Sequence, residues 1–234
     1  MTGLGASAWP EVAERAAAGS VLVVPLGSTE QHGPHLPVTT DTDIAVAVAE
    51  AAARRRPGLM VAPPVAYGSS GEHDGFAGTL SIGQEATELL LVELGRSASA
   101  HFSRVIVVSA HGGNAAPLAR AVARLKAEGR AVEAWWPAWG GDLHAGRTET
   151  SLMLAIAPGR VDLGRAAAGD IRPLSALLPI LEEGGVRSVS PNGVLGDPAG
   201  ADAAEGRRLL DRAVDDLVRA VDGDRRVSAG GGPS

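Results

Sequence analysis

The chain has 234 residues, 45% of them hydrophobic and 21% charged, with a formal net charge of -6 and no cysteine. That is enough chain to bury a sizeable core, and with no basic run neither nucleic acid nor an anionic membrane suits it as a partner, since each needs clustered Lys and Arg. Lack of cysteine excludes disulfides, thiolate zinc sites and cysteine nucleophiles, and is compatible with a reducing cytosol.

In chain order, the N-terminal segment carries Glu11, Glu14 and Arg15 with no apolar stretch ahead of them, so no signal peptide is expected. No apolar run approaches the roughly 20 residues of a membrane helix, and the expectation is a soluble, cytoplasmic protein. Short apolar, β-branched runs at 21–26, 59–64, 104–110 and 131–136 read as buried strands. Between them, apolar positions recur at helical spacing: Ile44, Val48 and Ala52; then Leu90, Leu91, Leu94 and Ala98 in a helix over 84–102; then Leu118, Val122 and Leu125. This alternation predicts an α/β fold, a three-layer α/β/α sandwich around a mostly parallel sheet. Past Trp136 the pattern loosens through Gly- and Pro-rich stretches at 137–147 and 184–200. A final amphipathic helix follows, with Leu210, Ala213, Val214, Leu217, Val218 and Val221 on one stripe. One domain over 1–222 and a frayed tail over 223–234 are expected.

In such sheets ligands gather beyond the carboxyl ends of the strands. The run at 21–26 is followed by Glu30, His32 and Asp41, and the run at 104–110 by His111, Gly112, Gly113 and Asn114. An isolated Glu-x-His reads as an exposed turn, but joined to Asp41 and His111 at neighbouring strand ends it offers oxygen and nitrogen donors suited to Zn²⁺, Fe²⁺ or Mn²⁺. Gly112 and Gly113 let backbone approach a ligand, and Asn114 reads as the cap of the next helix. Glu149 shares a helical stripe with Leu152, Met153 and Ile156, where a carboxylate needs a partner such as a metal. His144 sits five residues upstream in a Gly-rich loop, within swing of the pocket. His35 and Asp43 read as supporting or capping groups, His73 as pocket lining or a loop cap, His101 as solvent-facing, and Trp139 as packing or substrate wall.

GSTEQHGPHLPVTTDTD, AYGSSGEHDGFAGTLSIG, HGGN after a strand and HAGRTETS, in that order over roughly 20–160, resemble the creatininase family. The resemblance implies an α/β fold with two divalent metal ions per subunit, hexameric assembly, and hydrolysis of amide C–N bonds. Glu30, His32, Asp41 and His111 are then metal ligands, Asp41 bridging, and His144 the catalytic histidine. Creatininases carry a metal-binding glutamate two residues after the histidine matching His111. Here that position is Gly113, which puts creatinine itself in doubt and makes Glu149 the natural replacement ligand. Within the family the wording most resembles a metallopeptidase that releases a C-terminal Val-Tyr dipeptide from a modified precursor peptide. A sibling, a formamide hydrolase of deazaflavin or riboflavin synthesis, shares the HGGN form. Arg147 is either a partner for a peptide carboxylate or a solvent-facing charge at a helix start. A reading of another class is a phosphate- or nucleotide-binding module using HGGN at a helix N-terminus, against which the nearby carboxylates speak.

Overall fold

The computed structural model describes residues 3–223. Four strands, β1 (Val21–Leu26), β2 (Leu59–Val61), β3 (Val105–Ser109) and β4 (Val132–Trp135), form one sheet in the order β2-β1-β3-β4. Every pairing is parallel. β2 stops at Val61, short of the expected 64, because Pro63 and Pro64 lack the N–H that a ladder needs.

All six residues of β1 are buried, since it has a neighbour on each side and a helical layer on each face. Alternation assigns the faces. Leu22, Val24, Leu26, Val105 and Val107 pack with Leu91 and Val92 of α3 (Gly83–Ala98) and with Leu118, Val122 and Leu125 of α4 (Ala115–Ala127). Val21, Val23, Ile106 and Val108 pack with Val48 and Ala52 of α2 (Thr40–Arg55) and with Ala213, Val214 and Leu217 of α7 (Ala203–Val221). The result is the expected α/β/α layering. A third apolar cluster, with Leu36, Ile44, Val194 and Leu209, anchors Leu152 and Met153 of α5 (Arg147–Ile156) beneath the loop that follows β1.

Two helices went unread in the sequence. α1 (Trp9–Ala17) opens with Pro10 in its first turn and sets Val12 and Ala16 against the core. α6 (Leu174–Val189) reaches into the stretch at 184–200 that was expected to be irregular. Its period is masked by Pro179 and by Gly185, whose φ of 66° breaks the helix into two arms. Leu177 and Val186, from opposite sides of that kink, are both buried with Leu195, so packing holds the helix despite its breakers. The helix expected over 84–102 ends at Ala98 and continues as a turn, leaving His101 exposed. The expected tail at 223–234 lies outside the described residues except for Gly223. Among the described residues no helix is long and apolar enough to cross a membrane.

Candidate metal centre

The loop after β1 and the turn after β3 open on the same rim of the sheet, beyond the carboxyl ends of both strands. Glu30 and His32 lie on the first, His111 directly follows the second, and the buried first turn of α2 supplies Asp41. These four converge. One carboxylate oxygen of Asp41 is 3.3 Å from His32 Nε2 and the other 3.4 Å from His111 Nδ1, so Asp41 stands between two imidazoles. Ser28 Oγ donates to it at 2.6 Å and fixes its plane. Glu30 Oε2 is 3.2 Å from His111 Nε2, and its Oε1 is 3.2 Å from His73 Nε2 and 3.7 Å from His144 Nδ1.

Glu149 joins from α5. Its Oε2 accepts from Ala145 N at 2.6 Å and lies 3.9 Å from His32 Nε2. Thus part of its burial is relieved by a backbone N–H just ahead of its own helix. Ala145 carries φ of 54°, a conformation that costs an L-residue about 1–2 kcal/mol. The strain turns the chain from the bridge between His144 and Leu195 straight into α5, delivering His144 and Glu149 to one place. His73 comes from a 3-10 turn (Gly71–His73) and is buried in the cluster, its ring 4.4 Å from that of His144. Neighbouring Glu72, given no role in the sequence, places Oε1 3.5 Å from His111 Nε2. Gln31, also unassigned, is the brace: its Nε2 is 2.9 Å from His73 Nδ1 and donates to Gly193 O at 2.9 Å, while its backbone O is 2.8 Å from His144 Nε2. For both, the motif gave position without purpose, and only the fold shows what they touch.

Other expected residues stand elsewhere. Arg147 donates from Nε to Glu205 on α7 at 2.7 Å, so a peptide carboxylate would have to compete with that ion pair. Trp139 is half-buried and packs against two apolar clusters. His35 Nε2 meets Thr150 Oγ1 at 2.9 Å, and Asp43 pairs with Arg160. Asn114 makes no cap hydrogen bond. Instead its amide ties Gly27 O to Ser69 N, because both backbone groups are buried and need partners. Gly112 and Gly113 form the turn below His111.

The donor set fits divalent cations. Glu30 is wholly buried, yet neither of its oxygens has a hydrogen-bond partner, which is costly for a charged group unless a cation compensates it. Among the described residues, four donor groups are compact enough to hold an ion: Glu30, His32 and Asp41; Glu30, Glu72 and His111; Glu30, His73 and His144; His32, His144 and Glu149. Electrostatics point the same way. Burial pulls the His32 imidazole down, but Asp41, Glu149 and Glu30 outweigh it and push it up to about 10. Burial likewise opposes the charge on His111, and Glu30, Asp41 and Glu72 push it up to about 10. Burial would raise Glu30 and Asp41, yet His111 and His32 hold both below the usual carboxylate range. The carboxylates thus demand positive charge where two imidazoles stand, a demand that divalent ions meet while taking the same lone pairs. Burial, with His111 and His32 beside it, lowers His73 to about 3. Burial with His32 and His73 lowers His144 well below its ordinary value, keeping it a neutral base. Burial lifts Glu149 to about 7.

The creatininase family profile, described as creatinine amidohydrolase, matches residues 6–221. The chain is 51% identical over 226 residues to the mycofactocin precursor peptide peptidase of Mycobacterium ulcerans, covering 92% of this chain and 86% of that protein. It is 53% identical over 211 residues to the protein of the same name from Mycobacterium tuberculosis, covering 86% and 84%. A solved structure, "Creatininase Mn", superposes with a TM-score of 0.81 at 25% identity, over 95% of this chain and 98% of that one.

Proposed function

The chain belongs to the creatininase family of metal-dependent hydrolases, and on that premise we propose that it is the peptidase that releases the C-terminal Val-Tyr dipeptide from the modified mycofactocin precursor peptide. The reading is carried by identity of half or more, over most of both chains, to relatives named for that activity. The buried cluster of Glu30, His32, Asp41, His111 and Glu149 supports it as the ligand set for two divalent ions. Bound there, such ions would lower the pKa of a water toward neutrality and polarise the scissile carbonyl.

The residues around them do the rest. His144 is neutral, its Nε2 occupied by Gln31 O at 2.8 Å, so the lone pair on Nδ1 faces the cluster. That nitrogen takes a proton as the carbonyl is attacked and returns it to the departing amine. Gln31 holds the ring in place, and its amide is itself oriented by Gly33 N donating to Oε1 and by Gly193 O accepting from Nε2. The backbone of Gly112 and Gly113, in the turn after His111, would line the way in for the peptide.

Assembly as a homo-oligomer, a hexamer by family resemblance, is part of the reading. Exposed Trp9, Leu80, Leu89 and Ile171 supply apolar surface for it. A cytoplasmic setting suits a chain without cysteine.

The test is to incubate Zn²⁺-, Fe²⁺- or Mn²⁺-loaded protein with modified precursor peptide and follow Val-Tyr release by mass spectrometry, before and after chelation. Release that stops on chelation and returns with metal is expected. Cleavage of a formamide-bearing pyrimidine or of creatinine, with no action on the peptide, would transfer the function to the deformylase or creatininase alternative.

A further inference from the structure

Glu72 stands outside the ligand set read from the sequence, yet the fold is arranged around its carboxylate. Glu30, Glu72 and His111 each bring a donor atom within 4.8 Å of the others, and Glu30 contributes two enclosed oxygens that accept no hydrogen bond. Gly113 is the second observation. A Cβ at 113 would fall 2.2 Å from Ser69 O, 2.3 Å from Glu72 Oε1 and 2.5 Å from His111 Nε2, so a side chain there would collide with the Ser69 carbonyl and take the space that the Glu72 carboxylate now shares with the His111 ring. The turn that carries Glu72 is also held from behind. Gly185, at the kink of α6, approaches so closely that a Cβ would lie 2.8 Å from Glu72 O, and Arg187 of the same helix donates to Gly75 O. A surface glutamate needs none of this positioning. At 35% side-chain exposure, Glu72 is the most exposed carboxylate of the cluster.

We propose that Glu72 is a metal ligand, completing the coordination of the ion held by Glu30 and His111, and that the absence of a side chain at 113 makes the space for it. Glu149, expected as the replacement, groups with His32 and His144 rather than with His111. The assignment rests on the metal-dependent reading above. Its rival is a positioning role in which Glu72 merely hydrogen-bonds the His111 ring.

Glu72→Gln keeps the shape and removes the charge. Wild type and variant are loaded with Zn²⁺, their ions counted after gel filtration, each affinity measured by chelator competition, and loaded wild type crystallised. Two ions per subunit are expected in wild type, with a Glu72 oxygen about 2.0–2.2 Å from one of them. In Glu72→Gln one ion should bind at least about tenfold more weakly and the other unchanged, with Glu72→Asp between. Two wild-type ions with both Glu72 oxygens beyond about 3 Å overturn the assignment and leave the metal-dependent reading intact, whatever the variant does. Unchanged affinity for both ions in Glu72→Gln also overturns it. Wild type that holds no divalent ion overturns both.

Discussion

Two of the regions that crowd opposite charges together differ in kind, and the difference marks one of them as a site. On the α3 and α4 surface, Arg96 pairs with Glu93 and Glu128, and Glu128 pairs again with Arg130 and Arg124, each charge answered by a guanidinium or carboxylate in contact with water. At the sheet rim, Glu30, Asp41, Glu72 and Glu149 meet imidazoles instead, Glu30 and Asp41 out of reach of solvent, and Glu30 keeps two oxygens without a donor. The surface network is complete as it stands. The rim is complete only with added positive charge, and that incompleteness, rather than the number of charges, marks it as chemistry.

Cutting into the rim should therefore cost function out of proportion to the atoms changed. Glu30→Gln, Asp41→Asn and His111→Ala each remove a donor that the structure sets within 3.2–3.4 Å of its neighbours. Ion content by elemental analysis should fall together with peptide cleavage, the latter by roughly 10³-fold or more, the several kcal/mol of charge stabilisation that bound ions contribute. A variant that lost activity but kept both ions would detach that residue from metal binding.

His144→Ala separates proton transfer from ion binding at the same centre. We expect full ion content with kcat lower by about 10²–10⁴, the range of a removed general acid-base group. An ion count below that of wild type would instead make Nδ1, 3.7 Å from Glu30 Oε1, a ligand.

The same contrast governs what the sequence made legible. β1 and β3 announced themselves as apolar runs, and because a strand must end in a loop at the rim, Glu30, His32, Asp41 and His111 followed from position alone. Glu149 was visible as a carboxylate on an apolar stripe, though its bond to Ala145 N depends on the strained backbone at 145. Glu72 was hidden in a run of Gly and Ser, and its signal was indirect: a glycine at 113 with no positive φ to require it, in a space crowded by Ser69 O, the His111 ring and the Glu72 carboxylate together. Arg147 was ambiguous because its partner, Glu205, lies on a helix distant in sequence. α6 was lost because Pro179 and Gly185 are breakers by propensity, and tertiary packing of Leu177 and Val186 overrides them.

Removing the ions tests the rim's incompleteness as a matter of stability. Any ligand that binds only the folded chain stabilises it, by about 2.7 kcal/mol at a hundredfold excess over Kd. Chelation should lower the melting temperature on the order of 5–10 °C for a chain of this length, restored by metal. No shift on chelation would mean that the cluster tolerates its own charges without ions.

The surface network should respond least. Glu128→Gln removes the carboxylate shared by Arg96, Arg124 and Arg130, yet ion content and cleavage should be unchanged, and the melting temperature should move by less than about 2 °C because exposed pairs are screened. Its pH dependence has a definite sign. Arg96 holds the Glu128 carboxyl at about 2, below the 4.5 of the free group, so whatever stability it contributes is full above about 4.5 and is lost as pH falls through about 2. The small melting difference between wild type and Glu128→Gln should hence shrink over that window and with added salt, while the difference between metal-loaded and chelated protein at neutral pH persists in salt because the rim is buried. If salt erased both differences alike, the distinction between an answered surface and an unanswered interior would fail.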